Sequence, residues 1–163
     1  MIGAMRRLGV DIGGVIIEPA DDDADTSFFG AHYLHTPAVD GRSTRSRRSA
    51  RRSTRCTWCP AWGGHRGRTR EWLAHHDFPA RTGIPEERMH FCRTRPDKAP
   101  IARRLGLTHF VDDKLEVLGY LDSVPHRFLF RPRRAEVARH AALLPRVHPV
   151  QSWPELTGLL RAE

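Results

Sequence analysis

The sequence predicts an α/β protein: a Rossmann-like parallel sheet with helices on both faces and a minimal cap or flap over one end. Three observations carry that expectation. Short apolar runs alternate with segments of helical spacing along most of the chain. Two of those runs end in aspartate, at Asp11 and at Asp112 and Asp113. The length of 163 residues is that of one domain, so any appendage must be small.

The elements follow in order. From Arg7 to Glu18 the chain reads RLGVDIGGVIIE, a buried strand that feeds a tight turn through two glycines into a second apolar run. Residues 18–39 are rich in turn formers, with the aromatic pair Phe28 and Phe29, and are expected to form the flap. Arg70 to Asp77 resembles the end of a helix, and Met89 to Cys92 a short strand. Asp97 to Leu105 has helical spacing, with Gly106 as its stop. Then come the strand THFVDDK, the helix LEVLGYL, the strand HRFLF, the helix AEVARHAALL, the strand VHPV and a last helix around WPELTGLL.

Charge and cysteine usage narrow the function classes. A net charge of +8 would suggest a nucleic-acid partner, but residues 41–70 alone hold ten arginines and no acid. The remainder carries 27 − 10 = 17 basic against 19 acidic residues, a net of −2, so the basic character belongs to one segment. Three cysteines, Cys56, Cys59 and Cys92, with no secretion signal argue against a disulfide framework. No run reaches the roughly 18 apolar residues of a membrane helix, and Met1 to Val10 is too short for a signal-peptide core, so a soluble, cytoplasmic protein is expected.

In parallel sheets function gathers at the carboxyl ends of the strands, where Asp11, Asp112 and Asp113 all fall. Converging carboxylates suggest a hard cation with oxygen ligands, typically Mg²⁺. An aspartate after a strand also serves as a helix N-cap, and on sequence alone both readings stand.

GVDIGGVI, then RPDKAPI, then THFVDDK resemble, in order and spacing, motifs one, three and four of the haloacid dehalogenase (HAD) superfamily of phosphatases and related hydrolases. The resemblance spans Leu8 to about Trp153. It implies an HAD-like Mg²⁺-dependent hydrolase acting on a small phosphorylated metabolite. Asp11 would be the nucleophile that takes up the phosphoryl group, and Asp11, the Gly13 carbonyl, Asp112 and Asp113 would hold Mg²⁺. Lys98 would neutralise charge between nucleophile and phosphate, with Gly14 and Lys98 facing the substrate. Elementary chemistry agrees, because a carboxylate attacking phosphorus needs its own charge and the substrate's offset.

Two departures qualify the resemblance. The family usually carries a second aspartate two residues after the nucleophile, as acid to the leaving group and base to the water; here that position is Gly13, which cannot move a proton. Motif two, an apolar strand ending in Ser or Thr, is replaced by GRSTRSRRSARRSTRCTWCPAWGGHRGR. This stretch reads as protein translated in a shifted frame. RCTWCPAW, written CGG TGC ACC TGG TGT CCC GCG TGG, becomes Val-His-Leu-Val-Ser-Arg-Val when two bases are dropped, and RSTRSRRS becomes compatible with Ala-Phe-Asp-Ala-Ile-Ala-Ala-Leu. Residues 42–64 are thus expected to be an aberrant segment outside the core, leaving the sheet without that strand and the protein impaired.

Other readings of this chain remain open at the sequence level. The Arg/Ser run could be a basic arm for nucleic acid, with Trp58 and Trp62 stacking on bases. Cys56 and Cys59, with His65 or another of His75, His76, His90 and Cys92, could bind zinc, although a lone CxxC is a weak signal. A non-catalytic binding protein of the same fold is a third reading. His32 or His35 in the flap could touch substrate, and Cys92 reads as a small buried residue.

Overall fold

A computed structural model describes residues 5–19, 33–40, 66–82 and 84–162, together with the backbone of 54–58. Five parallel strands form its sheet: β1 (Arg6–Val10), β2 (Thr54–Trp58), β3 (His109–Asp112), β4 (His126–Phe130) and β5 (His148–Val150). Their spatial order is β2-β1-β3-β4-β5. The chain therefore leaves β1 toward one edge and returns to its other side at β3, which opens a crevice at the carboxyl ends of these two neighbours.

Alternation along the strands sorts side chains onto two faces. Leu8, Val10, Val111, Phe128, Phe130 and Val150 share one core cluster with Trp72 and Leu73 of α1 (Arg66–His75) and with Trp153 and Leu156 of α6 (Trp153–Ala162). Phe110 and Leu129 lie in a second cluster with Ala102 of α3 (Lys98–Leu105) and with Leu115 and Leu118 of α4 (Leu115–Tyr120). The expected α/β class with a helix-covered parallel sheet is present. Among the described residues no helix is long and apolar enough to cross a membrane.

Local sequence explains several boundaries. Helix α3 stops at Gly106, which adopts the left-handed conformation (φ 58°, ψ 43°) and returns its amide to the carbonyls of Ala102 and Arg103. The expected helix AEVARHAALL is instead broken into α5 (Arg134–Arg139) and a 3-10 turn, Ala141–Arg146. Pro145 accounts for the change, because it has no amide to donate and disfavours the α conformation at Leu144. Helix α2 (Phe78–Thr82) follows α1 directly. Met89 and Cys92 make single β-bridges rather than the strand expected between them.

The largest correction concerns residues 42–64. The expectation of a missing strand is overturned: the backbone of Thr54–Trp58 pairs in parallel with Arg6–Val10, from Arg6 opposite Thr54 to Val10 opposite Trp58. Ladder hydrogen bonds join backbone to backbone, so an outermost strand asks little of its side chains, and Thr and Trp favour extended backbone. The rest of 42–64 lies outside the described residues.

Of the flap, residues 18–19 and 33–39 are described. Its two ends meet: the Glu18 amide donates to the Pro37 carbonyl (2.9 Å) and the Val39 amide to the Ile16 carbonyl (2.7 Å). Two indoles pin this stem to the core, Trp72 Nε1 donating to the Thr36 carbonyl (2.9 Å) and Trp153 Nε1 to the Val15 carbonyl (3.0 Å).

Gly9 in β1 provides a stability test. A Cβ placed there would lie 2.3 Å from the Phe110 ring and 2.7 Å from Leu107, both fixed in the core. Gly9→Ala should lower unfolding free energy by about 1–3 kcal/mol through overpacking. Gly13→Ala, whose Cβ meets nothing within 4 Å, should change it by less than about 0.5 kcal/mol. Urea unfolding of the two variants checks the contrast.

Candidate active site

Asp11 directly follows β1 and is fixed by its amide, which donates to the Val111 carbonyl of β3 (2.9 Å). Asp112 is the last residue of β3 and Asp113 the next. Adjacent strands thus bring the three carboxylates to one point of the crevice, with an oxygen of each within 4.8 Å of the others. Lys98, the first residue of α3, enters from the side. Its ammonium donates to Asp11 Oδ1 (2.7 Å) and to Asp112 Oδ2 (2.6 Å). It lies 5.7 Å from the centre of the Phe110 ring and is only 1% exposed.

The competing assignments for these residues are excluded by the same geometry. Asp11 opens a turn rather than a helix. The N-cap of α4 is Lys114, without a side-chain capping bond, so neither Asp112 nor Asp113 is spent as that cap. Asp112 instead uses its second oxygen, Oδ1, to accept the Lys114 amide (2.9 Å). Lys98 is a buried charge between two carboxylates, not a solvated surface lysine.

Both glycines after Asp11 have distinct positions. Gly14 has φ 73°, in the left-handed region that L side chains avoid, and a Cβ there would stand 2.4 Å from Asp113 Oδ2. Its amide donates to the Ile17 carbonyl (2.9 Å). Gly14 thus closes the turn and leaves room for Asp113. Gly13 is exposed, faces open space and lies outside the left-handed region.

Burial sets the electrostatics. It pushes the Asp11 carboxyl up to about 6; Lys98 opposes that shift and Asp112 adds to it. Asp113 is driven to about 7 by burial and then by the Asp112 and Asp11 charges, against the weaker pull of Lys114 and Arg133. Burial alone would lower the Lys98 ammonium, but Asp11 and Asp112 outweigh it and hold the charge well above the usual lysine range. Lys98 is the one fully buried cation beside the three carboxylates, and Lys114 and Arg133 reach only Asp113, from more exposed positions. The cluster could hold a metal ion, and its all-oxygen donor set suits a hard divalent cation.

Several neighbours are not singled out by sequence. Arg133 and Lys114 approach Asp113 Oδ2 at 3.7 and 3.8 Å. Arg131, at the end of β4, clasps Glu18 with both carboxylate oxygens (2.8 and 2.9 Å) and so ties the flap stem to the sheet. The run RPRR after a strand was the available signal for these arginines. Cys92 is buried near the same charges, and burial lifts its thiol to about 11, which agrees with a packed residue rather than a nucleophile.

No protein-family model matches this chain, and no curated protein does. The site's geometry therefore carries the functional assignment alone. His35 is exposed, its ring 6.5 Å from that of His75 on α1. His32, Cys59, Trp62 and His65 lie outside the described residues, as does most of the Arg/Ser run.

The raised carboxyls predict a pH dependence. Folded Asp11 and Asp113 hold protons more tightly than the ordinary carboxylate value of 3.8 allows, up to about 6 and 7. Folding takes up protons in that window, so the cation-free protein should lose stability as pH rises from about 4 through 7. A divalent cation held by these carboxylates would compete with those protons, and its stabilising effect should be larger at pH 7.5 than at pH 5. Thermal melts at the two pH values, with and without Mg²⁺, measure both trends; each kcal/mol corresponds to about 2–4 °C in a protein of this size.

Proposed function

We propose that this chain is an HAD-like, Mg²⁺-dependent hydrolase that removes a phosphoryl group from a small phosphorylated metabolite through an aspartyl-phosphate on Asp11. The observation that carries the reading is Lys98, whose buried ammonium joins Asp11 Oδ1 to Asp112 Oδ2 at a crevice between neighbouring parallel strands. A merely structural lysine gains little from such burial, since desolvation offsets most of the Coulomb gain. A nucleophilic carboxylate, in contrast, needs that charge beside it. The strand order β2-β1-β3-β4-β5 supports the Rossmann-like part of the proposal.

Each side chain then has a role. Asp11 Oδ2 is the attacking atom, because Oδ1 is held by Lys98 and the attack direction is fixed by that bond. Lys98 offsets the charge gathered as carboxylate and phosphoryl oxygens approach. Asp112 is oriented at both oxygens, by Lys98 and by the Lys114 amide, and would hold the cation with Asp11, Asp113 and the Gly13 carbonyl. When bound, Mg²⁺ would supply Lewis-acid neutralisation of phosphoryl charge. Strand β2 ends opposite Val10, beside the nucleophile, which is the place where a motif-two hydroxyl would serve the phosphate.

Two measurements test this reading. Asp11→Asn keeps the shape of the side chain and should abolish Mg²⁺-dependent phosphate release from a small phosphoester panel with the fold intact by circular dichroism. Asp112→Asn should weaken the Mg²⁺ titration about tenfold or more, as removal of an anionic ligand does. Retained activity in the first variant, or an unchanged titration in the second, would falsify the assignment.

The shifted-frame reading of 42–64 has its own test. A version carrying Val-His-Leu-Val-Ser in place of the corresponding residues should melt more cooperatively and release phosphate faster than the chain as it stands. Equal melting and equal turnover would return the Arg-rich run to consideration as a nucleic-acid arm, for which a salt-dependent binding assay is decisive.

A further inference from the structure

Cations of two kinds surround the carboxylate cluster. Some are spent on hydrogen bonds: Lys98 on Asp11 and Asp112 (2.7 and 2.6 Å), Arg95 on Glu116 (3.1 Å) and Arg131 on Glu18 (2.8 and 2.9 Å). Lys114 and Arg133 are placed differently. Both face Asp113 Oδ2, at 3.8 and 3.7 Å, which is inside ion-pair range but beyond hydrogen-bond length. Their side chains are 26% and 36% exposed, so each presents its charge to solvent while Asp113 is buried.

The backbone holds both cations in place. Lys114 directly follows the site carboxylates, and its amide donates to Asp112 Oδ1 (2.9 Å). Arg133 comes shortly after β4, behind Arg131 and Pro132. Arg131 is the strained residue of that link, with a left-handed φ of 47° that residues other than glycine rarely adopt. Its clasp on Glu18 and its amide bond to the Val150 carbonyl (2.7 Å) keep it there. Pro132 fixes the next φ, and Arg133 continues in extended conformation (φ −95°, ψ 134°) with its guanidinium turned to Asp113. Backbone strain held by surrounding bonds in this way marks a group that is being placed.

We propose that Lys114 and Arg133 form a subsite for a second anionic group of the substrate, so that the phosphoryl donors of this site carry a carboxylate or a further phosphoryl group a few bonds from the transferred phosphorus. This rests on the hydrolase reading and names its substrate class. Because both cations approach one oxygen, a single small anion can touch both. Asp113 has an oxygen within 4.8 Å of one on Asp11, so the subsite begins one ion-pair distance beyond the nucleophile's own neighbourhood. Arg133 offers a planar fork that matches two anionic oxygens, and Lys114 adds a mobile point charge. A neutral tail in the same place gains nothing from either charge.

Binding and turnover test this separately. Calorimetric titration in Mg²⁺ with propylphosphonate, 3-phosphonopropionate and 1,2-ethylenediphosphonate, non-hydrolysable probes of similar length, reads the second anion alone. The native chain should bind at least one of the latter two about tenfold or more tightly than propylphosphonate, the scale of a charge-assisted hydrogen bond. The better of the two tells carboxylate from phosphoryl. Arg133→Gln and Lys114→Gln should each reduce that preference severalfold, and Arg133→Lys should keep more of it than Arg133→Gln. Arg146→Gln removes the same charge just before β5, at the amino end of the sheet where Arg146 pairs with Asp122, and should keep the preference whole. The ratio of kcat/KM for the phosphate ester of 3-hydroxypropionate to that for propyl phosphate should follow the same order. Equal affinity for all three probes, or a preference that Arg146→Gln lowers as much as Arg133→Gln, overturns the subsite, while phosphate release from propyl phosphate then still supports the hydrolase. An Arg133-dependent preference with no phosphate release from either ester supports the subsite and overturns the hydrolase reading. Neither binding nor release overturns both.

Discussion

Everything at the crevice depends on one buried ammonium. Lys98 sits in a region where an ion loses several kcal/mol of hydration, and the same loss falls on Asp11 and Asp112. Each attraction returns only about 4 kcal/mol for charges roughly 4 Å apart at an effective dielectric of 20. The trio comes close to break-even as a stabilising device. Its value lies in placement: it anchors the start of α3 to the ends of β1 and β3, and it fixes which oxygen of Asp11 the ammonium engages.

The backbone around that trio is shaped to admit it. Gly14 turns left-handed so that Asp113 can reach the cluster, and Gly9 lets the Phe110 ring approach β1 closely, with Lys98 5.7 Å from the ring centre. The second apolar run, Val15 to Ile17, is buried and receives the flap stem, which the two indoles and the Arg131 clasp on Glu18 hold in place. Arg131 itself adopts φ 47°, a conformation of modest cost for a non-glycine residue, and its bidentate ion pair and its amide bond to the Val150 carbonyl hold it there.

The Arg-rich segment shows how little an outermost strand demands of its sequence. Its composition argues against a strand, because buried arginine without a partner is prohibitive. The backbone of Thr54–Trp58 nevertheless completes the ladder of β1, since the hydrogen bonds involve no side chain. Composition is a statement about where side chains can go, and it constrains a two-sided interior strand far more than an edge. The described carboxylates and ammonium of the crevice, Asp11, Asp112, Asp113 and Lys98, come from elsewhere in the chain.

Taken alone, the sequence determined the class of fold and pointed to four residues that the structure brings together. Strand-end aspartates are local features, visible wherever an apolar run stops, and Asp11, Asp112 and Asp113 were legible that way, whereas Lys98 was singled out only through the resemblance carried by RPDKAPI. The stop of α3 at Gly106 was legible for the same reason, since a left-handed cap is a property of one residue. Tertiary structure alone decided which carboxylates share Lys98, that Gly14 leaves room for Asp113, and that Thr54–Trp58 joins the sheet. It also decided the raised Asp11 and Asp113 carboxyls. These are consequences of burial and of contacts between residues up to about a hundred positions apart, such as the Asp11 to Val111 bond, and no local pattern encodes them.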